Sequence, residues 1–169
     1  MGAFWGSNNY GSCGDIKNIG EDVMHISKGG YREDLKQYFR SKMEANIARY
    51  FNLKECKWKY EPFEYSFNRI KRGQKYYKPD FILYYLDIYF LIEVKGYFRA
   101  EDKTKLRRFK KYYPEEFSKL KFIIPDKYSK SKANGKMIKF LLDDLGIDFN
   151  EILNYKDMEK YSALIPGWE

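Results

Sequence analysis

The chain has 169 residues, 44% hydrophobic and 20% aromatic, with 32 Lys and Arg against 24 Asp and Glu for a formal net charge of +8. That length fits one domain with an extra arm, and the apolar mass excludes a disordered chain. Two cysteines, Cys13 and Cys56, and a single histidine, His25, exclude a disulfide framework, a zinc site and Ser-His-Asp or Cys-His chemistry, and predict a reducing cytoplasmic compartment. The apolar run from Phe81 to Val94 is broken by Asp87 and closes on Glu93 and Lys95; it is too short to span a bilayer, and no Sec-type signal is expected.

Residues 1–30 hold seven of the 12 glycines and read as an irregular arm, leaving 31–169 as the functional domain. Tyr31 to Leu53 predicts one long amphipathic helix, because Leu35, Phe39, Met43, Ile47 and Tyr50 recur at three- to four-residue spacing. Trp58 to Phe67 alternates as a strand does, and a basic, Gly-containing loop follows at 68–79. Phe81–Leu86 and Tyr89–Val94 predict two strands joined tightly at Asp87. A basic helix is expected over 101–118, interrupted by Pro114. Lys121–Pro125 predicts a short buried strand, and 133–145 an amphipathic helix capped by Gly146. This order predicts an α/β or α+β fold, a small mixed sheet flanked by helices.

The chemistry centres on Pro79-Asp80, then twelve residues, then Glu93-Val94-Lys95. An acid two residues before a lysine occurs five times, but only Glu93-Val-Lys95 ends an apolar strand with Pro-Asp leading into the strand before it. Alternation puts Glu93 and Lys95 on one face. A turn between Asp87 and Ile88 would pair residue i with 175 − i, setting Asp80 opposite Lys95 and Ile82 opposite Glu93. A slip of one residue would scatter the three side chains. Two carboxylates and a lysine beside an apolar hairpin are costly without compensation, and a divalent cation supplies it. Oxygen ligands select Mg²⁺ or Mn²⁺ over zinc, with Asp80, Glu93 and the Val94 carbonyl as ligands and Lys95 placed to orient water or stabilise developing charge. Glu44, near the apolar stripe of the first helix, reads either as a fringe residue or as a further metal ligand supplied across the sheet. Glu61 reads either as an exposed strand acid or as part of the site. Glu55, Glu64, Asp87, Glu101 and Asp102 are expected at the surface.

Basic residues cluster around this motif. Arg69, Lys71, Arg72, Lys75 and Lys78 form one group, and Lys103, Lys105, Arg107, Arg108, Lys110 and Lys111 a second. Lys127, Lys130, Lys132, Lys136 and Lys139 form a third. With Tyr and Phe interleaved, such stripes suit a nucleic-acid backbone, while any one of them taken alone also suits a solvated face.

Pro79-Asp80 with Glu93-Val-Lys95 resembles the PD-(D/E)XK nuclease superfamily, and more narrowly the phage endonuclease I type of Holliday-junction-resolving enzyme. The resemblance runs from about Glu44 to Trp168. It includes Tyr60-Glu61, Tyr77-Lys-Pro-Asp80-Phe, Glu93-Val-Lys-Gly96, Gly146-Ile-Asp-Phe149 and Leu164-Ile-Pro-Gly-Trp168. It implies a restriction-endonuclease-like core, Mg²⁺-dependent cleavage of branched DNA by a homodimer, and a setting in a bacterial or phage-infected cell. The residues it implies for the site are Glu44, Glu61, Asp80, Glu93 and Lys95. A restriction- or homing-type nuclease of the same fold, a non-catalytic DNA-binding protein and a basic interaction module remain as alternatives. The arm at 1–30 has no counterpart in the resemblance, and 147–163 is longer than expected.

Overall fold

The computed structural model describes residues 29–68 and 70–169. The predicted arm therefore lies almost wholly outside the described residues, as do Cys13, His25 and Arg69.

Alternating apolar residues build the centre of the molecule. Strands β3 (Lys57–Tyr60), β6 (Phe81–Tyr85), β7 (Ile88–Val94), β8 (Leu120–Ile124) and β9 (Ile152–Asn154) form one sheet in the order β3-β6-β7-β8-β9. The first three run antiparallel to their neighbours, whereas β7, β8 and β9 are parallel. Parallel neighbours need crossovers. Helices α2 (Ala100–Tyr112) and α3 (Pro114–Ser118) supply the first, divided at Pro114 as predicted. Helix α4 (Lys132–Lys139), widening into a π turn over Phe140–Asp144 and stopped at Gly146 with φ +65°, supplies the second. The fold is thus the expected mixed α+β arrangement, with β9 and the short helix α5 (Tyr155–Glu159) added beyond the predicted elements. Among the described residues no helix is long and apolar enough to cross a membrane.

The predicted helix from Tyr31 to Leu53 is corrected. Its first third is a hairpin, β1 (Gly30–Arg32) with β2 (Gln37–Phe39), and helix α1 begins only at Lys42. Lys36 in the connection has φ +48°, which no helix accommodates. Ser41 caps α1, its Oγ accepting from the Glu44 amide at 3.2 Å. The predicted strand from Trp58 to Phe67 is also shorter. It leaves the sheet at Glu61, whose φ is +42°, and the chain re-forms as a small hairpin of β4 (Tyr65–Ser66) with β5 (Tyr76–Tyr77), so the expected basic loop ends in a strand.

Each face of the sheet carries its own core. Phe81, Ile92, Val94 and Ile123 pack with Ala45, Ile47, Ala48 and Phe51 of α1 on one face. Ile82, Leu91, Phe122 and Ile124 pack with Leu106 and Phe109 of α2 and Met137 of α4 on the other. Phe81 is fixed among Phe51, Trp58 and Tyr60, with ring centroids 5.6, 5.7 and 5.2 Å away. Burying such a ring stabilises the fold by about 1.5–3 kcal/mol, and here it also fixes the backbone next to Asp80.

Candidate active site

The β6–β7 register decides which side chains meet. Tyr85 pairs with Ile88 and Phe81 with Ile92, around a two-residue turn of Leu86 and Asp87 in which Leu86 has φ +51°. Each residue i of β6 therefore faces 173 − i, not the predicted 175 − i. The register differs by two residues, which preserves the face while changing the partners. Carried one pair past Phe81 and Ile92, it sets Asp80 opposite Glu93 instead of Lys95. Because β6 starts where β7 ends, both acids lie at the end of the sheet from which the parallel strands β7 and β8 exit.

Asp80 and Glu93 are buried, at 2% and 1% exposure. The Val94 amide donates to Asp80 Oδ2 at 2.7 Å, and Arg40 Nη2 donates to Asp80 Oδ1. Tyr77 donates its hydroxyl to Glu93 Oε2 at 2.8 Å, and Lys95 Nζ lies 3.0 Å from Glu93 Oε1. Burial, and then the neighbouring Glu93 charge, push the Asp80 carboxyl well above the ordinary range; Lys95 and Arg40 pull it down without overcoming that push. For Lys95, burial acts to lower the pKa, but Glu93, Asp80 and Asp102 together raise it, so the side chain is held as an ammonium. Tyr77 is pushed up by burial and then by Glu93, which keeps its hydroxyl a donor.

Glu44 enters from the opposite face of the sheet at the start of α1. Its Oε2 accepts from the Tyr60 hydroxyl at 2.6 Å and from the Arg40 amide at 3.0 Å. Glu61 joins through Arg40 Nε at 2.9 Å and Lys78 Nζ at 3.4 Å, while its amide donates to the Asp80 carbonyl at 2.8 Å. A non-glycine residue at positive φ costs about 1–3 kcal/mol and is concentrated at functional sites; Glu61 is in that conformation here.

Asp102 was expected at the surface but belongs to this network. Its Oδ2 accepts from the Arg99 amide at 3.1 Å at the start of α2, and its Oδ1 lies 3.5 Å from Lys95 Nζ and 3.8 Å from Lys105 Nζ. Arg40, Tyr60, Tyr77 and Asp102 were thus given no role from sequence. The residues Tyr60-Glu61 and Tyr77-Lys-Pro-Asp80 carry a signal for two of them, since Tyr60 directly precedes one site acid and Tyr77 lies three residues before another.

The donor set fits a hard divalent ion. Among the described residues no three acidic, histidine or cysteine side chains gather into a ready-made chelate. Two buried carboxylates from adjacent strands do meet, and Mg²⁺ is characteristically held by one or two carboxylates while keeping several waters.

The basic candidates divide by their engagement. Arg107 pairs with Asp144, and Arg108 Nη1 donates to the Gln74 carbonyl at 2.5 Å, tying the basic loop to α2. Lys103 lies over the Phe140 ring at 4.9 Å. Lys71, Arg72, Lys75, Lys130 and Lys132 are exposed. Beside the site, a cleft of roughly 1030 Å³ opens at the ends of β7 and β8, lined by Gly96, Lys103, Lys132, Lys136 and Lys156 among others.

No curated protein matches the chain. The family model for phage endonuclease I matches residues 27–139, a stretch that contains Glu44, Glu61, Asp80, Glu93 and Lys95. On that match the chain belongs to the phage endonuclease I family, which makes it a nuclease with DNA as its substrate.

Proposed function

We propose that the protein is a Mg²⁺- or Mn²⁺-dependent endonuclease of PD-(D/E)XK type that hydrolyses phosphodiester bonds in branched DNA, acting as a homodimer in the cytoplasm of a phage-infected cell. The observation that carries this reading is the side-by-side burial of Asp80 and Glu93 at the strand ends, next to the ammonium of Lys95. Asp80 and Glu93 would hold the ion, with the carbonyl of Val94, next to Glu93 in the chain, as a further ligand. When bound, the ion supplies a water of lowered pKa and neutralises charge on the scissile phosphate.

The chain's own groups do the rest. Lys95, charged and fixed between Glu93 and Asp102, orients a water or meets negative charge developing on the phosphate; held as an ammonium, it is not a base. Tyr77 holds Glu93 in one orientation. The exposed lysines of the basic loop and of α4 contact the DNA backbone without reading sequence. The test is a cleavage panel of four-way junction, flap, mismatch and linear duplex with Mg²⁺. Preferential cutting of the junction is expected, lost by at least about 10³-fold in Asp80→Ala with DNA binding retained. Full cleavage by purified Asp80→Ala would overturn the reading, and one fixed site in linear duplex would favour a restriction- or homing-type enzyme instead.

A further inference from the structure

Arg40 lies in the segment between β2 and α1, and its place among the acids is unusual. Its Nη2 bonds to Asp80 Oδ1. Its Nε is 2.9 Å from Glu61 Oε1 and 3.4 Å from the Tyr60 hydroxyl oxygen, and its amide donates to Glu44. One residue therefore links three acids, Asp80 and Glu61 through its side chain and Glu44 through its amide. We propose that Arg40 is a built-in counter-cation that competes with the divalent ion for Asp80, holding the acid cluster together in the metal-free protein and giving up Asp80 when an ion is bound. This rests on the metal-dependent reading above.

Three features support the exchange. First, both Asp80 oxygens are engaged, Oδ2 by the Val94 amide and Oδ1 by Arg40. The amide is fixed in the β7 backbone, so the contact that a cation reaching Asp80 can weaken is that of the guanidinium at Oδ1. Second, the Arg40 side chain is 57% exposed whereas that of Asp80 is 3% exposed; the guanidinium can rehydrate on leaving, and the carboxylate cannot. Third, the backbone of Arg40 is pinned to Glu44 and packed close against Gly29, where an added Cβ would lie 2.9 Å from the Arg40 carbonyl oxygen. Release is therefore a rotamer change on a fixed backbone. Lys95 differs in its side chain, being 18% exposed and held between Glu93 and Asp102. One cation of the site is thus resident and the other replaceable.

The test is Mn²⁺ binding by calorimetry without DNA, together with thermal melting of the full chain. Arg40→Gln should bind Mn²⁺ roughly tenfold more tightly, the effect of removing one charge at contact and of freeing the competent state. It should also melt lower than wild type without metal, with the gap closing at saturating Mn²⁺. A general repulsion between Arg40 and the ion would tighten binding but leave the metal-free melt unmoved, which would overturn the exchange. Unchanged or weaker Mn²⁺ binding in Arg40→Gln, with binding in wild type abolished by Asp80→Ala, would overturn it as well. Should Arg40→Gln not fold, Arg40→Lys carries the comparison. It keeps the charge and loses the planar fork, and it must still bind more tightly than wild type. If wild type and Asp80→Ala show the same absence of binding, the metal reading itself has failed and the exchange falls with it.

Discussion

Two arginine–carboxylate clusters are associated with helix α1, the first just before its start and the second within it, and they are built on opposite principles. At the second, Arg49 is almost fully buried and saturated. Its Nε and Nη2 bond to the two oxygens of Asp34 at 2.7 and 3.0 Å, and its Nη1 reaches Glu169 Oε1 and Asn46 Oδ1, each at 3.0 Å. Arg32 completes the pairing of Glu169. Here the acids are partly exposed and stabilised as anions. The hydrogen bond from Arg49 lowers Asp34. Burial acts to raise Glu169, but the bonds from Arg32 and Arg49 outweigh it. At the first place the roles are reversed, since the arginine is the exposed partner and Asp80 the buried one, held above its ordinary range. Surplus carboxylate that the fold does not neutralise is a feature of a site that takes a cation. A closed network such as that of Arg49 ties the C-terminal segment to α1.

The comparison can be broken by removing the arginine of the closed cluster. Arg49→Ala leaves Asp34 and Glu169 partly exposed, so water replaces part of what is lost. The expected cost is about 2–3 kcal/mol, the scale of a few hydrogen bonds to charged groups and below that of an orphaned buried ion. Denaturant melts should show this loss while Mn²⁺ affinity is unchanged. An Mn²⁺ affinity that moves with Arg49 would mean that the two clusters are not independent.

The clusters also predict opposite pH dependences. Asp34 is lowered in the folded state, so its contribution is present above the ordinary Asp pKa of about 3.9 and is lost as pH falls through the lowered value. Asp80 is raised, so the folded state binds its proton more tightly than the unfolded one. Metal-free stability is then lost as pH climbs from about 3.9 through the raised value. Asp34→Asn should remove part of the acid-side loss. Asp80→Asn should remove the loss on the alkaline side, stabilise the metal-free protein near neutral pH and abolish cleavage, since Asn keeps the acceptor for the Val94 amide but not the charge. Melts of the three proteins across pH 3–9 check the sign; parallel curves for Asp80→Asn and wild type would mean that Asp80 does not carry the alkaline-side loss.

How much of this was legible in the chain follows from which rule each residue obeys. Asp80 and Glu93 were legible because a strand has period two, and a register error of two residues leaves the face intact. Strands β6, β7 and β8 and the helices joining the last two followed from apolar runs separated by a Pro-split helix, whereas β9 was not legible. The hairpin before α1 was not legible from periodicity. Leu35 and Phe39 are four apart as in a helix, yet Phe39 is buried in the α1-side core from β2, with Leu35 packed against that core from the turn. The stronger local signal was Ser41 followed three residues later by Glu44, a helix-start pattern. Arg40 escaped because its partners Glu61 and Asp80 come from separate strands, a juxtaposition that only tertiary packing creates. Asp102 escaped because an acid in the first turn of a helix is normally solvated, and here the turn sets it against Lys95.

The finest distinction the site offers lies between its two tyrosines, each of which bonds one acid. Tyr77→Phe keeps the ring against Phe109, 4.2 Å away between centroids, and removes only the donor to Glu93. Leaving a buried carboxylate oxygen without that bond should cost about 1–3 kcal/mol of metal-free stability. If Glu93 holds the ion, cleavage and Mn²⁺ affinity should each fall by about tenfold as its orientation is lost. Tyr60→Phe makes the same change at Glu44, whose other recorded donor, the Arg40 amide, remains. A fall in cleavage of about threefold, with a fall in Mn²⁺ affinity, would place Glu44 at the ion across the sheet. A change in melting temperature alone would make Glu44 a residue that fixes the backbone of Arg40, acting on the site only through that arginine.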